Sequence, residues 1–216
     1  MKNNGRIWLL VSVILLSVTL ISSCQSASVE PELRSPTVQE PPEKPAEDLS
    51  YLVHMDPAEV DNSDLPVTPV EKLHDTGLVP EGVDIKQYRL TIDGKVENPL
   101  ALTYEDVLSY PAVTEVVLLI CPGFFVDNAE WTGVPVATLL AEAGIKPEAT
   151  DVTFHDLGGG YRKTLPLEVA LQDGVFLAHM VNGQVLPAEH GYPLRLVAKG
   201  RYGSDWVKWV SRIAVS

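Results

Sequence analysis

Residues 113–120, Val-Thr-Glu-Val-Val-Leu-Leu-Ile, form an apolar, β-branched run of strand length that ends directly on Cys121. A run of this kind is a buried strand. The chain is therefore committed to a sheet-containing domain with a thiol at the end of one of its buried strands. Short elements surround this run. Residues 88–94, Tyr-Arg-Leu-Thr-Ile-Asp-Gly, alternate as a strand and end in Asp-Gly, a hairpin signal. Residues 102–109 read as a short helix, because Thr103 can cap it and Glu105 and Asp106 lie in its first turn. The pattern predicts a helix over 134–143, a strand over 151–155, a helical turn over 167–171, strands over 176–180 and 194–198, and a closing strand over 206–215. Mixed short strands and helices joined by irregular turns make an α+β domain rather than a doubly wound sheet. The 216 residues are 45% hydrophobic and 21% charged, which suits one packed domain with extensions. A formal charge of −13 repels phosphate backbones and argues against a nucleic-acid partner.

Only two cysteines are present, Cys24 and Cys121, so a disulfide framework is impossible and each thiol needs its own explanation. Lys2 and Arg6 precede an uncharged stretch over residues 7–22, which closes on Ser22-Ser23-Cys24. A basic start, a short apolar stretch and small residues at a cleavage point make a signal peptide over 1–23. The small residues before the cysteine resemble the lipobox of bacterial lipoproteins, which makes Cys24 the expected lipidation site. The other reading is an uncleaved anchor. Both place the rest of the chain outside the cytoplasmic membrane and tethered to it. Residues 25–71 carry eight prolines and eleven acids against two bases, with little apolar periodicity. The expected organisation is a disordered, acidic, Pro-rich tether over 24–71 followed by a domain over 72–216.

Within the domain, two features bear on chemistry. Cys121 follows a buried strand and precedes Pro122-Gly123, a turn that can present a side chain at the strand's end. Its alternatives are a small buried hydrophobe and a ligand, and no second cysteine is near enough for structural zinc, a cluster or covalent haem. The other feature is the C-terminal segment, where Arg195, Lys199, Arg201, Lys208 and Arg212 stand against Asp205 alone. Interleaved with Gly200, Gly203 and Ser204, they read either as an anion-holding loop or as a solvated basic edge strand.

Taken together over residues 73–216, these motifs resemble the oxidoreductase molybdopterin-binding domain of the sulfite oxidase superfamily. The resemblance rests on Tyr88 to Pro99, on Cys121 followed by Trp131-Thr-Gly-Val-Pro135, and on Leu165-Pro-Leu-Glu168. It continues with Asn182-Gly183, Glu189-His-Gly-Tyr-Pro-Leu-Arg195, Arg201-Tyr-Gly203 and Val207-Lys-Trp209, in the family's order and spacing. It implies a sulfite oxidase-like α+β fold with mixed β-sheets and a molybdenum-molybdopterin cofactor. By position, Cys121 is the implied metal ligand and catalytic centre, and a thiolate suits that task as a soft, charged donor. His190 and Arg195 are the implied cofactor contacts, with Trp206, Val207 and Lys208 at the phosphate end. His74, Asp75 and Asp156 fall where the family makes further contacts.

Departures from the family refine these expectations. Sulfite oxidases carry an arginine soon after the ligand cysteine, and here the sequence is Pro122-Gly-Phe-Phe125. No haem domain or C-terminal dimerisation domain is expected from these residues, which are similar to small single-domain bacterial members, such as the catalytic subunit of the periplasmic methionine sulfoxide reductase. Those members use a separate electron-transfer partner. The signal lacks a twin-arginine pair. The resulting expectation is a lipid-anchored, extracytoplasmic oxidoreductase that transfers an oxygen atom to or from a small molecule or sulfoxide. Phe124 and Phe125 are candidate pocket residues, and His155 and Tyr202 are candidates for proton transfer. The alternative is a cofactor-free envelope lipoprotein using the same fold as a binding module.

Overall fold

The computed structural model describes residues 48–80 and 82–216, all within one compact unit. The expected signal peptide, Cys24 and the first part of the expected tether lie outside the described residues. Among the described residues, no helix is long and apolar enough to cross a membrane. Along the chain run β1 (Leu90–Gly94), β2 (Leu100–Leu102), α1 (Tyr104–Leu108), β3 (Val113–Cys121), β4 (Phe125–Pro135) and α2 (Val136–Ala143). They are followed by β5 (Asp151–Asp156), β6 (Arg162–Pro166), α3 (Leu167–Ala170), β7 (Val175–Val181), β8 (Gln184–Val185), β9 (Arg195–Ala198) and β10 (Val210–Val215).

The strands form two sheets. One has the order β2-β1-β10-β5-β6 and is mixed, because β1 runs parallel to β10 while the other pairs are antiparallel. The second is antiparallel, in the order β3-β4-β7-β8, with β9 also paired to β7. This is the expected α+β architecture. The buried side chains of Leu90, Ile92, Phe154 and Ile213 from the first sheet pack with Leu139 and Leu140 of α2 in one core. Leu119, Trp131, Phe176, Val197 and Trp206 form another on the second sheet.

Local chemistry explains several boundaries. Thr103 caps α1 through a complete capping box with Asp106, as its sequence predicts. Asn182 and Gly183, at φ 48° and 72°, form the two-residue turn between β7 and β8, which requires left-handed backbone at both positions. The β4–β7 register shifts between Thr132 and Gly133. A Cβ on Gly133 would lie 2.1 Å from the Leu177 carbonyl oxygen, so only glycine fits.

Three expectations need correction. The Asp93-Gly94 pair is not a two-residue turn: Gly94 ends β1 paired with Val215 of β10, and β2 returns only at Leu100. The last strand begins at Val210 rather than at 206, because residues 203–205 form a 3-10 turn and 206–209 bend away from the sheet. The folded domain also starts earlier than residue 72. Leu49 and Leu52 are buried against Leu118, Ile120 and Val126 on the outer side of the β3–β4 hairpin. Burial of a side chain of this size stabilises by about 1.5–3 kcal/mol. Thr68 donates its backbone N–H to Asn128 O at 2.7 Å, and Asn62 Nδ2 donates to Asn128 Oδ1 at 2.9 Å. Residues 48–71 thus satisfy the polar groups of a buried strand, despite an acidic, proline-rich composition.

Candidate active site

The C-terminal ends of β3 and β5 meet the connection between β9 and β10 at a cleft of about 390 Å³, a volume within the range of small-molecule sites. Cys121 comes from β3 and Asp156 from β5, while Gly203, Ser204, Trp206, Lys208 and Trp209 come from the β9–β10 connection. Thr76, Gly77 and Leu78, from the segment before β1, form another wall. Tyr161 spans the rim, donating its hydroxyl to Ser204 O at 2.6 Å. Two sheets and two irregular segments therefore converge on one thiol.

Cys121 is half-buried and free, and burial pushes its thiol above the ordinary range. Its carbonyl accepts the Phe124 N–H at 3.0 Å, closing the turn to β4 and placing Phe125 directly across from it in the β3–β4 pairing. Trp209, at φ 55°, holds a left-handed backbone that a bulky residue adopts at a cost of about 1–3 kcal/mol, the kind of strain that collects at functional sites. It is fixed by Nε1 donating to Ala188 O at 2.7 Å. A Cβ on Gly191, at φ 116°, would come within 3.1 Å of Arg195 Cβ and 3.2 Å of Lys208 Cβ, so the 188–191 turn, Arg195 and Lys208 pack as one piece.

The C-terminal cations are less exposed to ligand than their spacing implies. Lys208 lines the cleft but pairs with Asp75 at 2.5 Å and donates to Glu189 O at 2.8 Å. Burial lowers its pKa, with Asp75 opposing that shift. Arg201 and Lys163 both pair with Asp205 at 2.6 Å, Lys199 with Glu115, and Arg212 with Asp93. Asp205 is therefore not the only acid that these bases meet. Arg195 differs: among the described residues no carboxylate lies within ion-pair distance. Its guanidinium lies 5.2 Å from the Trp131 ring centroid and 5.6 Å from that of Trp206. Nη1 donates to His190 O at 3.0 Å, and the buried Nε has no partner among the described residues. Burial pulls its pKa down to about 10, against the opposing charges of Asp127 and Asp75.

Of the residues singled out from sequence, Cys121, Asp156, Trp206 and Lys208 line the cleft, and Asp75 joins it through Lys208. His74 does not line it. It stacks on Phe125 with centroids 4.7 Å apart and lies in an adjoining depression with Phe124. His190 and Arg195 sit in the interior, with Arg195 behind Trp206. The Val207 side chain is in the core of the first sheet, and its carbonyl accepts from Leu196 N–H. Trp206 offers only its ring, since its N–H is donated to Ala198 O at 3.0 Å. His155 lies in β5 opposite Arg162 and Arg212, and neither it nor Tyr202 lines the cleft. Sequence reasoning missed the 76–78 wall and Tyr161, which no local motif marks, and Trp209, which it read as part of a regular strand.

The cleft suits a ligand with both donor and acceptor groups. Four buried side-chain atoms have no hydrogen-bond partner among the described residues, and one of them, Asp156 Oδ1, belongs to a residue that lines the cleft. Two more, Arg195 Nε and Trp131 Nε1, flank Trp206 from behind. An acceptor carboxylate, a half-buried thiol and a half-buried lysine fit a metal-bearing, phosphorylated heterocycle.

Comparison with known proteins identifies the family. Residues 76–216 match the family model described as the oxidoreductase molybdopterin binding domain. An NADH nitrate reductase of Ulva prolifera is 32% identical over 184 residues, covering 69% of this chain and 21% of the reductase. The uncharacterised oxidoreductase YuiH of Bacillus subtilis is 34% identical over 140 residues, covering 64% of this chain and 70% of YuiH. The chain thus spans about a fifth of the nitrate reductase and most of YuiH. Among solved structures, the sulfane dehydrogenase SoxCD of Paracoccus pantotrophus superimposes with a TM-score of 0.59 at 36% identity, covering 62% of this chain and 39% of that one.

Proposed function

Because the chain belongs to the oxidoreductase molybdopterin-binding domain family, we propose that it is a membrane-tethered, extracytoplasmic molybdenum oxidoreductase acting at the Cys121 cleft on a small, uncharged, sulfoxide-type substrate. The observation that carries this reading is the convergence of Cys121, Asp156 and Lys208 on one cleft, although they are far apart in sequence. Cys121 would ligate the metal, Lys208 with Ser204 would hold the phosphate, and Asp156 Oδ1 would accept from the ring N–H groups. When bound, molybdenum-molybdopterin supplies the two-electron chemistry of oxygen-atom transfer.

The residues of this chain define what else enters. Leu78, Pro122, Tyr161 and Trp209 give the cleft apolar walls, and the cations of the C-terminal segment, Arg195 apart, are paired with carboxylates. Lys208 is the cleft's cation among the described residues and is assigned to the cofactor phosphate, so a substrate oxyanion finds no second one, whereas a neutral sulfoxide or thioether meets apolar surface. Reducing a sulfoxide to a thioether and water consumes two electrons and two protons, so the reading includes a separate electron donor in the membrane. The test is metal analysis. Protein isolated from its native envelope is expected to hold about one molybdenum and one pterin per chain, as a single-ligand site requires. An intact native preparation free of molybdenum and tungsten would overturn the cofactor assignment.

Tethering rests on the sequence over residues 1–24. Mature protein is expected to begin at an acylated Cys24 and to partition with membranes, while Cys24→Ala remains uncleaved or mislocalised. Soluble mature protein with an unmodified Cys24 would remove the anchor and leave the oxidoreductase reading intact.

A further inference from the structure

Asp127 is a buried carboxylate near the start of β4, on the strand paired with the one that ends at Cys121, and nothing in the preceding assignment uses it. Both of its oxygens are spent on one residue. Oδ2 accepts the His74 backbone N–H at 3.0 Å, and Oδ1 meets His74 Nδ1 at 2.9 Å. His74 is thereby pressed flat against Phe125, at 4.7 Å with an interplanar angle of 12°, and Phe125 is the cross-strand partner of Cys121. Immediately after His74 come Asp75, paired with Lys208, and Thr76, Gly77 and Leu78, which wall the cleft. These residues belong to no helix or strand and carry no ladder of their own. Gly77 rests near Trp209, where a Cβ would lie 3.9 Å from the indole.

We propose that Asp127 is a positioning residue of the active site, a buried double acceptor that pins the 74–78 wall to the Cys121 hairpin and so holds the cleft in shape for its cofactor. Burial of a carboxylate is costly unless its lone pairs are filled, and here they are filled by His74, the residue from which the wall runs on. Asn128, the next residue of β4, is satisfied by residues 62–68, which do not reach the cleft, whereas both oxygens of Asp127 go to the residue from which the cleft wall runs on.

This inference rests on the reading of the cleft as a cofactor site, and its test separates the two. Asp127→Ala, Asp127→Asn and His74→Ala are compared with Leu118→Ala, a core truncation on the opposite face of the hairpin that touches no part of the wall. Three quantities are read: melting temperature, molybdenum and pterin retained after dialysis, and the rate of Cys121 alkylation in cofactor-free protein. Asp127→Ala is expected to lose cofactor on the order of tenfold faster than wild type and to expose Cys121 to faster alkylation, as loss of charge-assisted bonds implies. Asp127→Asn keeps an acceptor for the His74 N–H and is expected to recover most of both properties, while His74→Ala, which keeps that N–H, falls between. Leu118→Ala is expected to melt lower with cofactor retention and alkylation unchanged. If Asp127→Ala melts lower yet retains cofactor and alkylates as wild type does, Asp127 is a core residue and the proposal fails. If Asp127→Ala does not fold, the same comparison is read from Asp127→Asn and His74→Ala, and wild-type behaviour in both overturns it. Absence of molybdenum from wild type would count against the cofactor reading, while alkylation still decides the role of Asp127.

Discussion

Cys121→Ser is expected to lose more than about 100-fold in turnover of a small sulfoxide with a reduced dye as electron donor, since loss of an outer partner of a metal ligand alone costs roughly 10–100-fold. The fold should scarcely change. The substitution exchanges one side-chain atom at the end of β3, while the contacts that shape the turn are made by the backbone, through the Phe124 N–H on the Cys121 carbonyl and the paired Phe125 opposite. Substitutions that disturb no packing or buried partner usually stay within about 0.5 kcal/mol. What changes is the donor. A serine hydroxyl is hard and holds its proton far more firmly than a thiol, so the site loses the soft anion that a molybdenum centre needs. The measurement is turnover, metal content and thermal melting on the same preparation. A serine variant with wild-type turnover would remove Cys121 from the reaction, and one that melted far below wild type would show that the thiol's packing matters more than its chemistry.

The sequence makes β3 legible because a buried strand has a simple signature, and Cys121 at its end was legible for the same reason. Its partner β4 escaped notice, although it is longer, because Asp127, Asn128 and Glu130 interrupt the apolar pattern. Asp127 and Asn128 are buried with partners from elsewhere, His74 and residues 62–68, and the half-buried Glu130 has its N–H on Asn182 Oδ1. Periodicity reads what a strand buries against apolar neighbours and is blind to polar groups satisfied at long range. The same limit hid the packing of residues 48–71. Prolines and acids resemble a tether in composition, yet two leucines and a few side-chain amides suffice to fix the segment on the domain. For the C-terminal bases, spacing along the chain showed a positive cluster, while the fold supplied Asp75, Asp93 and Glu115 from distant segments and cancelled most of it.

That cancellation leaves Arg195 as the cation whose removal should matter most. Arg195→Met is expected to deplete molybdenum and pterin about tenfold or more after purification while leaving thermal stability equal to wild type or above it. The two effects separate because they have different origins. A buried guanidinium without a carboxylate partner contributes little to stability, and a hydrophobic side chain of similar volume between Trp131 and Trp206 is often neutral or stabilising. For an anionic cofactor in the adjoining cleft, however, that same unpaired charge acts through Trp206 in a poorly screened interior. Lys208→Ala should deplete cofactor less, because part of the lysine's charge is already held by Asp75. Arg212→Ala should deplete none, since its pair with Asp93 is exposed and of a kind that contributes at most about 1 kcal/mol. Arg195→Lys distinguishes charge from shape: a lysine restores the charge without the planar fork that donates to His190 O, so partial recovery is expected. Retention ordered as Arg212→Ala, then Lys208→Ala, then Arg195→Met, with melting temperatures that do not follow that order, identifies the charge as a functional group. Full retention by Arg195→Met would show instead that the guanidinium serves the packing of two tryptophans and no more.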